Sequence, residues 1–224
     1  MEVKRDRILR STLASEREQK AVSTGKSSQI VELETRNSKP ETDELARRAR
    51  AIKLLLMDCD GVLTDGRIML LENGDEQKTF DVKDGHGIVL LHRAGLKSGI
   101  ISGRVSSFVE RRARELGMSL EFVRQGCHNK IKEFDDVLAR AQVQANEVAF
   151  IGDDVADISI MQRVGLAVAV ADAVEETKQA AHYVTQLKGG AGAVREIADL
   201  ILKAQGRWEE LMRRYGENRG NEPE

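Results

Sequence analysis

The sequence predicts an α/β fold in which short apolar strands alternate with helices around one parallel sheet. Apolar runs at 51–57, 96–101 and 147–151 have the length of buried strands, and each leads into polar or acidic residues. Segments of helical length lie between these runs. Alternating strands and helices form a parallel sheet with right-handed crossovers, so we expect the polar ends of these strands to share one edge of the sheet.

A β-hairpin is predicted between the first and second core strands. Strand candidates at 67–71 and 77–82 flank the turn signal Asn73-Gly74. Asp84 is predicted to cap the helix that follows and that ends at Gly95. The remaining elements are predicted in this order: a strand at 96–101, a helix at 105–116, a strand at 119–123, a helix through 141, strands at 147–151 and 166–170, a helix at 173–181, a strand at 183–185 and a helix at 193–204.

The length of 224 residues fits one ordinary domain with an appendage. We divide the chain into a charged N-terminal extension at 1–50, a domain at 51–206 and a C-terminal tail at 207–224. The extension has no aromatic residue and is dense in charge, so it cannot form a core alone and is expected to be flexible or helical. Within it, residues 44–50 are predicted to form a short helix that leads into the first strand.

Charge and cysteine content narrow the class of protein. The formal net charge of −2 gives no general electrostatic attraction for nucleic acid or a membrane surface. Cys59 and Cys127 are the only cysteines, too few for a disulfide framework or a cysteine zinc site. We find no apolar run long enough to span a bilayer and no signal peptide, and we therefore expect a cytoplasmic protein with no nucleic-acid or membrane partner.

The two carboxylates that follow the first strand, Asp58 and Asp60, are the strongest candidates for chemistry. In a calcium loop of the EF-hand type they would be followed by Asp or Asn at position 62, Gly at 63 and Glu at 69, and the sequence has Val62, Leu63 and Met69 there. That interpretation fails.

Two interpretations remain for this loop. In the first, Asp58 and Asp60 form a turn that caps the next element, which is the commoner role of an isolated D-x-D. In the second, Asp58 is a nucleophile that accepts a phosphoryl group and Asp60 is a general acid and base, with Mg²⁺ held between the loop and the substrate phosphate. Only the second explains the matching residues further along the chain.

The loop at 58–64 matches the pattern D-x-D-G-[VT]-L-[TSV], and the chain resembles the haloacid dehalogenase superfamily of phosphohydrolases. The resemblance implies that the Ser102 hydroxyl and its neighbouring backbone N–H bind phosphate. It implies that Lys130, at the start of a helix, is a cation for the phosphate and the crowded carboxylates.

A later motif of the same superfamily, G-D-D-x-x-D, lies at 152–157. The resemblance implies that Asp153 is a direct Mg²⁺ ligand together with Asp58 and Asp60. It implies that Asp154 and Asp157 support these ligands from behind. Each match taken singly has a structural explanation, such as a helix cap or a turn, but four matches in order after apolar strands make coincidence improbable.

Between 51 and 206 the resemblance narrows to the branch of the superfamily without a cap domain, and in particular to the 3-deoxy-D-manno-octulosonate 8-phosphate phosphatase family. The motifs that carry it are D-C-D-G-V-L-T-D-G, F-D-V-K-D-G-H-G-I, I-S-G-R, I-G-D-D, V-A-V-A-D-A and G-G-A-G-A-V-R-E. The fold class predicted is therefore α/β, a Rossmann-like doubly wound parallel sheet with a β-hairpin insertion and no cap domain.

The same resemblance implies contacts with a sugar acid or its phosphate. Besides Asp60 and Lys130, the residues concerned are Asp81, Val82, Lys83, Asp84, Gly85, Gly103, Arg104 and Arg112. Lys83 stands where relatives often carry Arg, and Val89 where a basic residue is usual. Arg and Lys bind carboxylates differently, so these two positions bear on which sugar acid is recognised.

The function predicted is a Mg²⁺-dependent sugar-acid phosphatase acting on a small-molecule sugar phosphate. Two alternatives stay open: a phosphatase for a sialic-acid-type sugar 9-phosphate, and a non-catalytic oligomerisation partner of a sugar-nucleotide enzyme. The intact set of Asp58, Asp60, Lys130 and Asp153 argues against the second. By resemblance we expect a homotetramer built on the hairpins, with the loop at 189–192 and the tail after Gly206 near a neighbouring active site.

Overall fold

The computed structural model describes residues 43–72 and 76–217. The predicted N-terminal extension lies outside the described residues except for 43–50, which form a helix, α1, and the turn at 73–75 lies outside them as well. The strands are β1 Leu54–Met57, β2 Met69–Leu70, β3 Glu76–Gln77, β4 Lys97–Ile101, β5 Val123–Arg124, β6 Val148–Gly152, β7 Leu166–Ala169 and β8 Tyr183–Val184. The further α-helices are α2 Val82–Arg93, α3 Ser107–Glu115, α4 Lys130–Ala141, α5 Ile158–Met161, α6 Glu175–Ala180, α7 Ala193–Ala204 and α8 Trp208–Glu217.

Six strands form one parallel sheet in the order β5-β4-β1-β6-β7-β8. From the central strand β1 the chain first builds β4 and β5 on one side and then returns to build β6, β7 and β8 on the other. The order therefore reverses at β1, and a crevice for ligands opens where strand order reverses in an open α/β sheet. The Rossmann-like doubly wound fold predicted from the sequence is confirmed, and its ligand edge lies at the carboxyl ends of β1, β4 and β6.

The central strands are buried on both faces. Every residue of β1, β6 and β7 is buried, as expected for parallel strands covered by helices on both sides. The fully buried aromatic rings of Phe134 and Phe150 are the largest side chains of the core. A core packed on both faces holds the ends of these strands in place, and this is what fixes the positions of the loops that follow them.

The insertion between β1 and β4 is small. Strands β2 and β3 pair antiparallel through only two residues each, Met69 with Gln77 and Leu70 with Glu76, so the hairpin is shorter than the sequence predicts. Apart from this hairpin and α2, the described residues between β1 and β4 form no further strand or α-helix, and they contain no cap domain.

The sequence prediction that Asp84 caps helix α2 is wrong. The cap is Asp81, whose backbone is extended and whose side chain accepts hydrogen bonds from the backbone N–H groups of Lys83 and Asp84. Asp84 lies inside the first turn and is 1% exposed. Its carboxylate instead accepts hydrogen bonds from the N–H groups of Gly192, at 3.1 Å, and Arg195, at 2.8 Å. Asp84 is therefore used in a long-range contact, and the aspartate three residues earlier is the cap.

One other segment differs from the prediction, and the C-terminal tail contains a helix. Most of the strand predicted at 119–123 is a 3₁₀ turn, Leu120–Phe122, and pairing with β4 begins only at Val123. The tail after 206 contains α8, whose Leu211 is 5% exposed and belongs to the core. The domain boundaries at 50 and 206 stay predictions. Among the described residues no helix is both long and apolar enough to cross a membrane.

Candidate active site

Asp58 lies directly after β1, where the strand order reverses. Its N–H donates to the carbonyl of Ile151 on β6 at 3.0 Å, so the sheet ladder itself sets the backbone at this position. One carboxylate oxygen accepts from the N–H of Cys59 at 2.7 Å, and the other lies 3.0 Å from the ammonium of Lys130. The side chain is therefore held at both oxygens and faces the crevice.

Lys130 is a buried cation between two carboxylates. It begins α4, is 8% exposed, and its Nζ lies 2.7 Å from Asp157 Oδ1 and 3.0 Å from Asp58 Oδ2. Burial lowers the pKa of Lys130, but Asp58 and Asp157 outweigh this effect and the pKa lies above its ordinary value. Lys130 is therefore a fixed positive charge beside the nucleophile candidate.

Three carboxylates lie close together at this edge of the sheet. Oxygens of Asp58, Asp153 and Asp157 lie within 4.8 Å of one another. Burial, with Asp157 next in effect, raises the pKa of Asp58 to about 6. Burial, followed by Asp157 and Asp58, raises the pKa of Asp153 to about 7. The negative form of this cluster is thus unfavourable without a further positive charge.

The residues fit a divalent cation. Asp153 Oδ1 is buried and has no hydrogen-bond partner among the described residues, and carboxylate oxygens are the ligands that hard cations such as Mg²⁺ prefer. The predicted role of Asp157, to support the ligands without binding the ion, stays a prediction, and its oxygens are occupied as follows. Its Oδ1 binds Lys130, and its Oδ2 accepts from the N–H groups of Asp153, at 3.0 Å, and Asp154, at 3.4 Å. The exposed Asp154 caps the short turn that follows, through the N–H of Val155.

Asp60 lies beside this cluster, and its side chain has a different partner. Its Oδ1 is paired with the ammonium of Lys78, which follows strand β3 of the hairpin. Its Oδ2 is buried and has no hydrogen-bond partner among the described residues. The predicted role of Asp60 as a metal ligand stays a prediction.

Ser102 and Arg104 follow β4 at the same edge. Ser102 is 2% exposed, its N–H donates to the carbonyl of Arg124, and its hydroxyl accepts from the N–H of Arg104 at 3.3 Å. The guanidinium of Arg104 is paired with Glu76 of the hairpin. Gly103, between Ser102 and Arg104 in the sequence, is exposed. The phosphate-binding candidate and the hairpin therefore meet across the crevice.

The other predicted substrate contacts lie on the first turn of α2 and on α3. Val82 and Lys83 are exposed, whereas Gly85 is buried close to the guanidinium of Arg112. Arg112 also pairs with Glu115 at 2.9 Å. Asp81 and Asp84 are used by the fold as described above, so their contacts with substrate stay predictions.

Sequence reasoning missed Lys78 and Glu76. Residues 76–80 alternate in burial, with Glu76, Lys78 and Phe80 partly buried and Gln77 and Thr79 exposed. These residues are polar apart from Phe80, so no apolar pattern marked the inward face, and only the folded hairpin reveals it.

Two glycines let the loops of the site approach each other. Gly61 has φ +90°, and a Cβ there would lie closer than 3.0 Å to the carboxylate of Asp153. A Cβ on Gly189 would lie closer than 3.0 Å to the carbonyl of Gly61. The glycine-rich loop at 189–192 is therefore packed directly on the loop that carries Asp58.

Comparison with known proteins agrees with this geometry. Residues 100–197 match the family described as haloacid dehalogenase-like hydrolase. The chain is 45% identical over 170 residues to 3-deoxy-D-manno-octulosonate 8-phosphate phosphatase KdsC of Yersinia pestis, covering 76% of this chain and 90% of that protein. The chain belongs to the 3-deoxy-D-manno-octulosonate 8-phosphate phosphatase family. It is accordingly a haloacid dehalogenase-like phosphoric monoester hydrolase.

Solved structures of this phosphatase family match the fold as well. The crystal structure of the Yersinia pestis phosphatase is 46% identical, covers 75% of this chain and 89% of that chain, and has a TM-score of 0.73. That of the Moraxella catarrhalis phosphatase, in complex with magnesium ion, phosphate ion and a KDO molecule, is 37% identical, covers 77% and 98%, and has a TM-score of 0.74.

Replacing Gly61 with Ala is expected to impair activity more than folding. The added methyl group must displace the Asp153 carboxylate, and the positive φ costs an L-residue roughly 1–2 kcal/mol. A displacement of about 1 Å in a catalytic group can lower the rate by about 10²-fold. We expect Gly61→Ala to lose at least about 10-fold in phosphatase kcat on this basis.

Gly216→Ala is the matched control for that substitution. Gly216 lies in α8, has no positive φ, and has nothing within 4 Å of an added Cβ. Phosphatase assays and thermal denaturation of both variants make the comparison. Full activity in a folded Gly61→Ala protein would contradict the close approach of the two loops.

Proposed function

We propose that the protein is a Mg²⁺-dependent phosphatase that hydrolyses 3-deoxy-D-manno-octulosonate 8-phosphate to the free sugar acid and phosphate, in the cytoplasm, as a step of lipopolysaccharide precursor synthesis. The observation that carries the proposal is the meeting of Asp58, Asp153 and Lys130 at the point where the strand order reverses. The names of the relatives support the substrate, since these relatives are phosphatases for this sugar acid.

The reaction proceeds in two displacements at phosphorus. A carboxylate oxygen of Asp58 attacks phosphorus, the bond from phosphorus to the ester oxygen breaks, and Asp60 gives a proton to the leaving alkoxide. The product on the enzyme is an aspartyl phosphate. Water then attacks the same phosphorus and gives a proton to Asp60, the bond to Asp58 breaks, and inorganic phosphate leaves.

The remaining site residues stabilise the charges that are present during this reaction. Lys130 faces the nucleophile and balances the phosphoryl oxygens, and Ser102 supplies a hydroxyl at the end of β4. Asp58 and Asp153 would hold Mg²⁺ through side-chain oxygens and Asp60 through its backbone, which leaves the Asp60 carboxylate for proton transfer. Asp157 fixes Lys130 and the backbone of Asp153. When bound, Mg²⁺ supplies positive charge that offsets the repulsion between these carboxylates and the substrate phosphate.

Arginine and lysine side chains around the crevice would recognise the sugar acid. Arg104, Arg112 and Lys83 offer positive charge to a carboxylate or phosphate on the side of β4, α3 and α2. Turnover of the octulosonate 8-phosphate and of a sialic-acid-type sugar 9-phosphate, measured side by side, tests the substrate. The proposal requires the higher kcat/KM for the first, and the opposite ranking would assign the enzyme to the second.

Asp58→Asn is expected to lower kcat by at least about 10³-fold, because an amide cannot form the phosphoenzyme and loss of a nucleophile has effects of this order or larger. The amide has nearly the shape of the carboxylate and should leave the fold intact. Stopped assays with the purified variant and a circular dichroism spectrum measure both. Wild-type turnover by Asp58→Asn would refute the nucleophile.

Removal of the metal is expected to abolish activity reversibly. Burial first, and then Asp157, raises the pKa of both Asp58 and Asp153, so negative charge is unfavourable at this site and a phosphate would add to it. Activity should disappear after dialysis against EDTA and return with Mg²⁺ but not with added Na⁺. Undiminished turnover after exhaustive chelation would contradict the metal role.

We further propose a homotetramer that buries the exposed apolar side chains of the hairpin. Ile68, Met69 and Leu70 are 54%, 55% and 71% exposed, and a two-stranded hairpin with such side chains is only marginally stable in water. Closed rotational symmetry would let every subunit give and receive the same contact.

The double variant Ile68→Glu with Leu70→Glu is expected to dissociate this assembly, since it places charge in an apolar contact. Val184→Glu, at an apolar residue of β8 that is 39% exposed, is the control. Light scattering at assay concentration gives the mass of each. An active wild-type monomer would refute the assembly, and a double variant that stays tetrameric would refute the hairpin contact.

A further inference from the structure

A charged face of the hairpin reaches the acid/base carboxylate. The Lys78 side chain is only 3% exposed, and its Nζ is paired with Asp60 Oδ1 and lies 4.0 Å from Glu76 Oε2. Lysine is seldom buried to this degree unless it is paired. The family motifs that identify the site do not include it, and the mechanism above does not use it.

The pairing with Lys78 leaves the two oxygens of Asp60 unequal. Oδ1 is occupied by the ammonium, whereas Oδ2 is buried and has no hydrogen-bond partner among the described residues. A buried acceptor without a partner is unfavourable, so this oxygen is suited to a group that arrives with the substrate.

The position of Lys78 is itself fixed from the other side of the crevice. Glu76, two residues earlier on the same face, is paired with the guanidinium of Arg104, whose Nε lies 3.4 Å from Glu76 Oε2. Asp60, Lys78, Glu76 and Arg104 thus form a row of alternating charges from the loop after β1 to the loop after β4. This row attaches the hairpin to both loops.

We propose that Lys78 is a positioning residue for proton transfer by Asp60. Its ammonium holds Oδ1, and this leaves Oδ2 facing the ester oxygen of the substrate. As the bond from phosphorus to the ester oxygen breaks, its electron pair stays on that oxygen and the proton on Oδ2 moves to it. In the second displacement Oδ2 takes a proton from the attacking water. The inference rests on the proposed function, since it requires Asp60 to be the proton donor.

The dependence of the rate on the leaving group tests this role. An alkoxide, such as the one from a sugar phosphate, needs a proton in order to leave, whereas 4-nitrophenolate leaves without one. The second displacement is the same for both substrates. Their kcat/KM values therefore differ only through substrate binding and the first displacement. Loss of proton transfer should therefore lower kcat/KM for the sugar phosphate much more than for 4-nitrophenyl phosphate.

Lys78→Met removes the charge and keeps the length of the side chain. Since general acid catalysis contributes about 10²–10⁴-fold, we expect its loss on the sugar phosphate to exceed that on 4-nitrophenyl phosphate by at least about 10-fold. Lys78→Arg keeps the positive charge and should recover part of the kcat/KM that Lys78→Met loses on the sugar phosphate. Glu76→Gln keeps the charge of Lys78 and removes only the carboxylate that helps to place it, so its selective loss should be smaller than that of Lys78→Met. Lys203→Met, at an exposed lysine near the end of α7, controls for loss of a lysine charge.

Asp60→Asn separates a failure of this inference from a failure of the proposed function. If Asp60→Asn lowers kcat/KM by the same factor for both substrates, Asp60 is not the proton donor and the proposed mechanism is wrong. If Asp60→Asn shows the selective loss and Lys78→Met does not, the mechanism stands and the positioning role is refuted. If Lys78→Met lowers kcat/KM by the same factor for both substrates, Lys78 only holds the hairpin in place, and the positioning role is refuted.

Discussion

The ion pairs of one buried lysine organise this site. Lys130 lies between Asp58 and Asp157 at the start of a helix, and each of the three groups would be unfavourable if it were buried alone. The arrangement joins β1, the loop after β6 and helix α4, which lie far apart in sequence. Asp157 extends it to the backbone of Asp153 and Asp154. The position of Asp58, the proposed nucleophile, thus depends in part on Asp157, to which we assign no step of the reaction.

The site also requires close contact between its loops. Two glycines and Asp84, the residue wrongly predicted to be a helix cap, provide it. Gly61 and Gly189 remove the side chains that would keep the loops apart. The carboxylate of Asp84 then fixes the end of the glycine-rich loop from the buried side, through Gly192 and Arg195. A loop held in this way is part of the wall of the site. Its glycines serve close packing, in addition to any motion that they permit.

The sequence predicted what depends on local pattern and missed what depends on contacts between distant residues. Buried parallel strands read as apolar runs, so the strand ends that carry Asp58 and Asp153 could be located within a residue or two. Asp81 and Asp84 are both suitable caps by residue type, and the sequence does not show that Asp84 binds a segment more than a hundred residues away. Lys78 was invisible for the same reason, since only the folded hairpin brings it to Asp60.

The alternation along 76–80 has a consequence for how this family can vary in length. Successive side chains of an extended segment point to opposite sides, so inserting or deleting a single residue between Glu76 and Lys78 would leave only one of the two on the inward side. Connecting segments normally tolerate such changes. Here we expect relatives that keep the charged row to differ in length at the hairpin turn, or by two residues at a time, while the outward positions drift freely.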